Sequence, residues 1–545
     1  MDLDTLLGDP ADPDTLFSYA RCAELDRREE FPEEICRELD RLGLPARYVP
    51  AEHGGTLTDY PELLDLIRTI ARRDLTVAVG HAKSYLGSVS VWVAGGRAQA
   101  GAVAADVIAG VPASWGLTER THGSDLLAGE VRATPVPGGY RVTGEKWLIN
   151  NATRGSLLSL LARTDPDGGP RGFSLLLIDK RELDGADYTC LPKVPTHGIR
   201  GADISGIAFH DAPVPESALI GPEGGGLEVV LKALQLTRTI CAGLSLGAAD
   251  QAIRQAEGFT AERRLYGRLL SEMPHVRRTL GEAHAARFVA EAVTTVAARG
   301  IHALPSEMSV ISAVTKAFVP ARVDELIFAC GELLGTRAFL TEVHDHGVFQ
   351  KLARDHRVVS IFDGNSFVNE NALINQFPVL ARGYRSGPAD GPGLSRLLDL
   401  SAAVGGPDHS GFTLVSRGGC GLVQGLQAAV DGLSAPDAER ARQRQDLGTV
   451  EARARELLAH CDDLHAELAA YAPNPREVPP EAFVLAQRYE WCFAGAAVLQ
   501  LWLANPGWKD QVWPEAALTY VLARLGSNPD RAIFDRLFDE TRERA

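Results

Sequence analysis

The sequence predicts a mainly α-helical protein with one central β module and a further helical region towards its C-terminal end. Three changes of texture carry this expectation. Apolar residues recur at helical spacing over residues 14–112, fall into strand-like runs over 113–225, and return to helical spacing from 227. Four segments follow: a helical domain at 1–112, a β domain at 113–226, a helical bundle at 227–382 and a helical extension at 394–545. The Gly/Pro-rich stretch "GYRSGPADGPG" (383–393) reads as the linker before the extension.

Taken in order, "FPEEICRELDRLGL" and "PELLDLIRTIARR" place apolar residues on one helix face, with Pro and Gly at the breaks. "VRATPVPGGYRVTGEKWLI" reads as a hairpin around Pro137, Gly138 and Gly139, and "SLLSLLARTD", "GFSLLLID" and "GIAFHDAPVP" as further strands. "GLEVVLKALQLTRTICAGLSLGAADQAIRQAEGF" opens the second helical region. The extension is rich in Ala, Leu, Arg and Glu and is broken by "APNPREVPP" and "NPGW".

Composition narrows the function classes. A net charge of −16 favours solubility and argues against a nucleic-acid binder, which needs a basic face. The eight cysteines are scattered without a CxxC pair, so neither a disulfide framework nor a zinc site is indicated, and a reducing cytoplasm fits. "MDLDTLLGDPADPD" lacks the apolar core of a signal peptide, and no apolar run is read as approaching the roughly 20 residues that span a bilayer. Arg in excess of Lys, with abundant Ala and Gly, points to a GC-rich bacterial genome. A soluble cytoplasmic protein is expected.

Some motifs carry little. "GLSLG" (243–247) matches the G-x-S-x-G nucleophile elbow, but it lies inside a helical pattern with no strand before it, so helix packing is the better reading. The two His of "HDH" (344–346) do not share a helix face, and no metal is expected there. No G-x-G-x-x-G follows a strand, and "GPEGGG" (221–226) lacks the Lys-Ser/Thr of a phosphate loop, so it reads as a flexible connection.

"WGLTERTHGSD" (115–125) stands at the entrance to the β module, with a hydroxyl at Thr118, close backbone approach at Gly123 and turn-capping Ser124 and Asp125. "GEKWLINN" follows about twenty residues on. Each alone is a capped turn or a core Trp. In this order and spacing they resemble the acyl-CoA dehydrogenase family, whose patterns are L-T-E-x-x-x-G-S-D and K-x-W-I-T-N. The resemblance extends over most of residues 30–380: "PAEHGG", "HGIRGADISGIAFHDAPVP", Arg238 in "LTR", Arg263 in "RRLYG", Lys316, and "LARDHRVVSIFDGN", similar to R-D-x-R…I-Y-E-G-T.

The resemblance implies a helical N-domain, a β-barrel and a C-terminal four-helix bundle, with FAD held between the β module and the later helices. Trp115, Leu117, Thr118, Gly123 and Ser124 would line the cofactor, with Trp147 against the ring and Ile149 offering a backbone N–H. Gly335 and Asn365 stand at later cofactor contacts. Arg263, beside Tyr266, would reach the pyrophosphate of a neighbouring subunit's FAD, which requires at least a dimer. Substrate would meet Ser124, Thr237, Arg238, Asp363 and Gly364.

These enzymes oxidise the carbons next to a thioester carbonyl: a carboxylate removes the α-proton and the flavin takes a β-hydride. The usual base is the Glu of E-G-T, here Asp363. Some relatives place it in L-x-x-E-R, where this chain has Thr237, so Asp363 is the only candidate at either place. Asp is one methylene shorter, and a misplacement of ~1 Å costs about a hundredfold. Ile149, Asn365 and "LLGTRAF" also depart from the family patterns.

The expected activity is therefore FAD-dependent α,β-dehydrogenation of an acyl-CoA or a carrier-protein-bound acyl group. Electrons would pass to an electron-transfer flavoprotein or oxygen. A flavin oxidase or monooxygenase on the same fold is the alternative, since nitroalkane oxidase uses an Asp at the corresponding place. A non-catalytic scaffold is the third reading, and Thr118, Ser124, Trp147 and Arg263 count against it. Relatives with an extra C-terminal helical region tend to be dimers, so a homodimer is expected.

Overall fold

Six helices precede the first strand: α1 (Leu3–Leu7), α2 (Tyr19–Arg28), α3 (Glu33–Arg41), α4 (Tyr60–Arg73), α5 (Leu75–Ala94) and α6 (Arg97–Ile108). In this computed structural model residues 3–433, 447–472, 474, 477–505, 507 and 512–544 are described. Parts of the breaks "APNPREVPP" and "NPGW", namely Pro473, Pro475, Arg476, Pro506 and Trp508, lie outside the described residues. The helices start where the sequence supplies acceptors for orphan N–H groups. The Asp59 carboxylate accepts from Glu62 N at 3.0 Å and opens α4, and Asp74 accepts from Val77 N at 2.9 Å and opens α5. Helix α5 is apolar on nearly every face and is buried accordingly.

Seven strands follow: β1 (Ala113–Gly116), β2 (Arg132–Val136), β3 (Gly139–Asn150), β4 (Leu157–Arg163), β5 (Phe173–Asp179), β6 (Tyr188–Leu191) and β7 (Ile204–Pro215). They form one sheet in the order β1-β4-β2-β3-β7-β6, with β5 also paired to β4. The expected barrel module is a curled half-barrel. The β2–β3 hairpin turns at Pro137 and Gly138, and Gly138 has φ +85°. Alternate residues of the strands, among them Ala133, Val142, Ile149, Leu158, Leu160, Leu176 and Phe209, fill its core. "GPEGGG" is not a loose connection. Gly224 N donates to Ser174 Oγ at 2.9 Å, and a Cβ on Gly226 would lie 2.5 Å from the Ser174 carbonyl carbon.

The later helices are α7 (Gly226–Glu262), α8 (Pro274–Ala303), α9 (Met308–Leu334), α10 (Val348–His356), α11 (Ser366–Ile374) and α12 (Phe377–Tyr384). Between α7 and α8, β8 (Arg264–Leu265) and β9 (Arg268–Leu269) form a two-residue hairpin. The extension adds α13 (Gly391–Leu398), α14 (Gly421–Gln424), α15 (Leu426–Leu433), α16 (Leu447–Ala470), α17 (Pro480–Ala504), α18 (Trp513–Arg524) and α19 (Ile533–Arg544). By internal contacts the chain divides into residues 1–237 and 238–545, the division falling within α7. Helix α7 is long and apolar enough to cross a bilayer, contrary to the sequence reading, but 89% of its apolar window is buried inside the protein.

The extension belongs to the second unit and packs on α8 and α9. The expected linker is short. Asp390 caps α13 by accepting from Gly393 N at 2.7 Å, and buried Arg299 of α8 donates to the carbonyls of Arg396, Leu397 and Asp399. Helix α19 and the turn before it lie against α8 through Arg277–Asp539 (2.6 Å), Arg278–Asp535 (2.5 Å) and Arg531–Glu282 (2.6 Å). Between these pairs Gly281 lets the backbones touch, since a Cβ there would sit 1.9 Å from the Phe534 carbonyl oxygen.

Gly281→Ala should therefore displace α19 and lower stability by at least about 1–3 kcal/mol, read as a lower denaturant midpoint. Gly258→Ala, also helical but with open space around its Cβ, should be neutral or stabilising.

Candidate active site

In the first unit a buried ion pair fixes the segment that follows β1. Lys146 Nζ meets Glu119 Oε1 at 2.7 Å and donates to Leu117 O at 3.0 Å. The same carboxylate accepts from Glu130 N at 2.7 Å and Val131 N at 3.1 Å. Burial works to raise the Glu119 carboxyl, but Lys146 and the two N–H donors outweigh it and hold the group below its usual value. Burial pushes the Lys146 ammonium down against the pull of Glu119. Thr118 is fixed in turn, its carbonyl accepting from Trp147 N at 3.0 Å. Gly123 and Ser124, further along the segment, are exposed.

The structure places the other expected residues of this unit less uniformly. Trp115 is half-buried, and its Nε1 has no hydrogen-bond partner. The Trp147 ring is covered by the Arg120 guanidinium at 4.7 Å, which also pairs with Glu145 at 2.7 Å. Ile149 turns its side chain into the half-barrel core. The strand is irregular here, with a register shift between Trp147 and Ile149 and φ +56° at Leu148. Counting K-x-W-I-T-N from Lys146 puts Leu148 at the Trp position and Asn150 at the Thr position. Asn150 Oδ1 is buried without a partner, as an unmet polar group beside a cofactor would be. Thr237 is fully buried with an unpartnered hydroxyl.

In the second unit the segment "SIFDGNSF" forms the turn between α10 and α11. Asp363 and Gly364 are both left-handed, at φ +56° and +90°. Two buried cations grip their consecutive carbonyls. Arg238 Nε donates to Asp363 O at 3.1 Å, and Lys316 Nζ donates to Gly364 O at 3.1 Å. Asn369 Nδ2 also donates to Gly364 O at 2.9 Å, and Asn365 caps α11 by accepting from Val368 N at 3.0 Å. Gly364 is required twice, by its φ and because a Cβ would come within 3.0 Å of Arg238 Nη2. Burial pushes the Arg238 guanidinium down to about 10, with Asp363 and Cys241 opposing, so it stays charged near neutral pH. Cys241 Sγ reaches Asp363 Oδ2 at 3.4 Å.

The other end of the segment is held by the same helix. His356 Nε2 lies 2.9 Å from Ser245 Oγ, and His356 Nδ1 lies 2.6 Å from Asp324 Oδ1. The "GLSLG" serine thus sits in a Ser–His–Asp chain, yet it is fully buried within α7, where no substrate carbonyl reaches it. Arg238, Cys241 and Ser245 recur at helical spacing along one face of α7, a signal legible in the sequence once the contact is known. Arg263 and Tyr266 lie on the exposed β8–β9 hairpin, and Gly335 ends α9 at φ +60°.

Lys146→Met should cost about 3–5 kcal/mol, because it strands the buried Glu119 carboxylate. The sign with pH follows from a depressed carboxylate. Its contribution is complete above the unfolded value of ~4.3 and is lost as the pH falls through the folded one. Glu119→Gln should therefore flatten the acid side of the stability–pH curve, measured by denaturation from pH 7 downward.

Three domain models of one family match this chain: Acyl-CoA dehydrogenase, N-terminal domain, over residues 18–110; middle domain, over 114–212; and C-terminal domain, over 224–376. A relative described as probable acyl-CoA dehydrogenase FadE25, from Mycobacterium tuberculosis, is 27% identical over 349 residues, covering 63% of this chain and 87% of its own. Among solved structures, an acyl-CoA dehydrogenase complexed with FAD from Bacillus anthracis has TM-score 0.67 and 18% identity, over 96% of this chain and 87% of that one. The prolyl acyl carrier protein oxidase AnaB has TM-score 0.60 and 17% identity, over 66% and 96%. These two likenesses show the fold. Buried, unpartnered Trp115 Nε1 and Asn150 Oδ1 fit a polar ring system such as the flavin. With all three domains matched in order, the chain belongs to the acyl-CoA dehydrogenase family of FAD-dependent oxidoreductases.

Proposed function

We propose that this protein dehydrogenates an acyl thioester across its α and β carbons, with Asp363 as the group that takes the α-proton. The observation that carries the reading is the turn itself. A half-buried carboxylate stands on two left-handed residues whose carbonyls are fixed by Arg238 and Lys316. Such strain persists only where surrounding contacts impose it. Fixing the main chain matters more for Asp than for Glu, because a shorter side chain has less reach to correct a misplaced backbone.

FAD, when bound, supplies the acceptor for the hydride that leaves the β-carbon. This chain's part is to hold it and to move the proton. Trp115, Leu117, Thr118, Gly123 and Ser124, on the segment fixed by Glu119 and Lys146, would hold the cofactor, with Asn150 added and Ile149 contributing main chain only. Arg120 and Trp147 form a stacked pair beside them. The thioester carrier is CoA or an acyl carrier protein, and electrons pass on to an electron-transfer flavoprotein or to oxygen. Arg263 and Tyr266 project from an exposed hairpin, and Tyr266 (90%), Phe339 (87%) and Val343 (88%) expose large apolar surface on this unit. A second copy of the chain is the proposed cover, giving a homodimer.

Anaerobic bleaching of the flavin by butyryl-, octanoyl- and palmitoyl-CoA and octanoyl-pantetheine tests the reading. Asp363→Asn should slow bleaching by about 10²–10⁴-fold with flavin content unchanged. Bleaching as fast as wild type would rule Asp363 out as the base. Rapid reoxidation by air with peroxide release would move the assignment to an oxidase.

A further inference from the structure

We propose that Glu490, beside Glu370, seats the extension on α9 and α11 in its uncharged form, so that its proton acts as a latch released by rising pH. Glu490 stands in α17, the helix of the extension that packs on both α9 and α11. Its carboxyl is buried, and among the described residues its Oε1 meets no hydrogen-bond donor. Glu370 of α11 is buried with it. There Oε1 accepts from Gln487 Nε2 at 3.2 Å, while Oε2 has no donor. A buried carboxylate needs donors or a close cation, and a like charge beside it adds to the cost.

The charged and titratable groups around the pair come from three further helices. Arg322 of α9 lies 5.1 Å from the Trp491 ring centroid, and its Nη1 pairs with Glu325 at 3.0 Å. Glu325 is shared with Arg524 of α18 at 2.8 Å, and Arg524 also donates to the Tyr520 hydroxyl at 3.1 Å. Glu282 of α8 is paired with Arg531. Arg322 and Arg524 thus face three carboxyls, Glu325, Glu370 and Glu490, and the charges balance when one carboxyl keeps its proton. Glu490 is the one with no donor of its own. Burial and then Glu370 push it well above the usual carboxylate range, against the pull of Arg322. Burial also raises Glu370, with Gln487 and Arg322 opposing. Tyr520 is pushed up by burial and stays neutral near pH 7. Uncharged, Glu490 has an O–H to donate, and Glu370 Oε2 is a buried acceptor without a donor. Helix α11 starts directly after the Asp363–Gly364 turn, so the latch bears on the element into which that turn runs. It is independent of the assignment of Asp363 as base.

A carboxyl raised on folding stabilises fully below its unfolded value of ~4.3 and loses that contribution as the pH rises through its folded value. Between the two, opening becomes about tenfold easier per pH unit. Maleimide labelling of the FAD-loaded protein, mapped by mass spectrometry from pH 6 to 9, reads the opening of α17 at fully buried Cys492. Buried Cys36 of the first unit is the internal control. Glu490→Gln keeps the shape and removes the charge. The Cys492 rate of wild type relative to Glu490→Gln should climb about tenfold or more between pH 6 and 9, with the Cys36 ratio constant. Glu370→Gln, which removes the neighbouring charge, should shrink that climb, and a climb left unchanged there overturns the pairing of the two acids. A Cys492 ratio constant over the range overturns the proposal. So does a Glu490→Gln protein that fails to fold at pH 6, because the amide stands in for the neutral carboxyl.

Discussion

Two buried cations on two consecutive carbonyls are the constraint on which the second unit's site depends. Arg238 and Lys316 come from different helices, α7 and α9, and are both buried. Each donates to a main-chain oxygen, at Asp363 and at Gly364. A buried charge is costly unless well bonded, and here the bonds fix a main-chain turn. It is a turn that ordinary residues resist, with an aspartate at φ +56° and a glycine at +90°. The carboxylate of Asp363 therefore stands on a main chain held from two helices.

Helix α7 serves as the reference edge for this arrangement. Its one face holds the segment at both ends, through Arg238 and Cys241 at Asp363 and through Ser245 at His356. The extension stabilises the same scaffold from the other side, with α17 against α9 and α11 and with α19 keyed into Gly281 of α8. In the first unit, Glu119 and Lys146 do for the "WGLTE" segment what the cations do for the turn. In both places a buried cation donates to a main-chain carbonyl of the segment it fixes.

Much of this was legible in the chain. The helix–sheet–helix order follows from apolar spacing, and the hairpin at Pro137–Gly138 from its turn residues. "GLSLG" is helical as read. The failures have physical causes. "GPEGGG" reads as flexible because glycine permits both freedom and close approach; here Ser174 and Arg171 make it the latter. Aligning on Trp147 puts the missing hydroxyl at Ile149, whereas counting from Lys146 across the bulge at Leu148 puts Asn150 there, and the Ile149 side chain lies in the core. Cys241 and the His356–Ser245 pair are not legible because each acts between elements far apart in sequence, and residue type alone does not announce such contacts. Lys146 could have been found, since a lysine inside an alternating strand pattern requires a buried partner.

The central claim is that Asp363, held by this clamp, removes a proton from the carbon next to a thioester. Phenylacetyl-CoA deuterated at that carbon has no β-hydrogen, so proton removal is observed without dehydrogenation. Incubated with the FAD-loaded protein in ordinary water and followed by mass spectrometry, it should lose its deuterium with wild type and retain it with Asp363→Asn. Equal loss from both proteins would contradict the account.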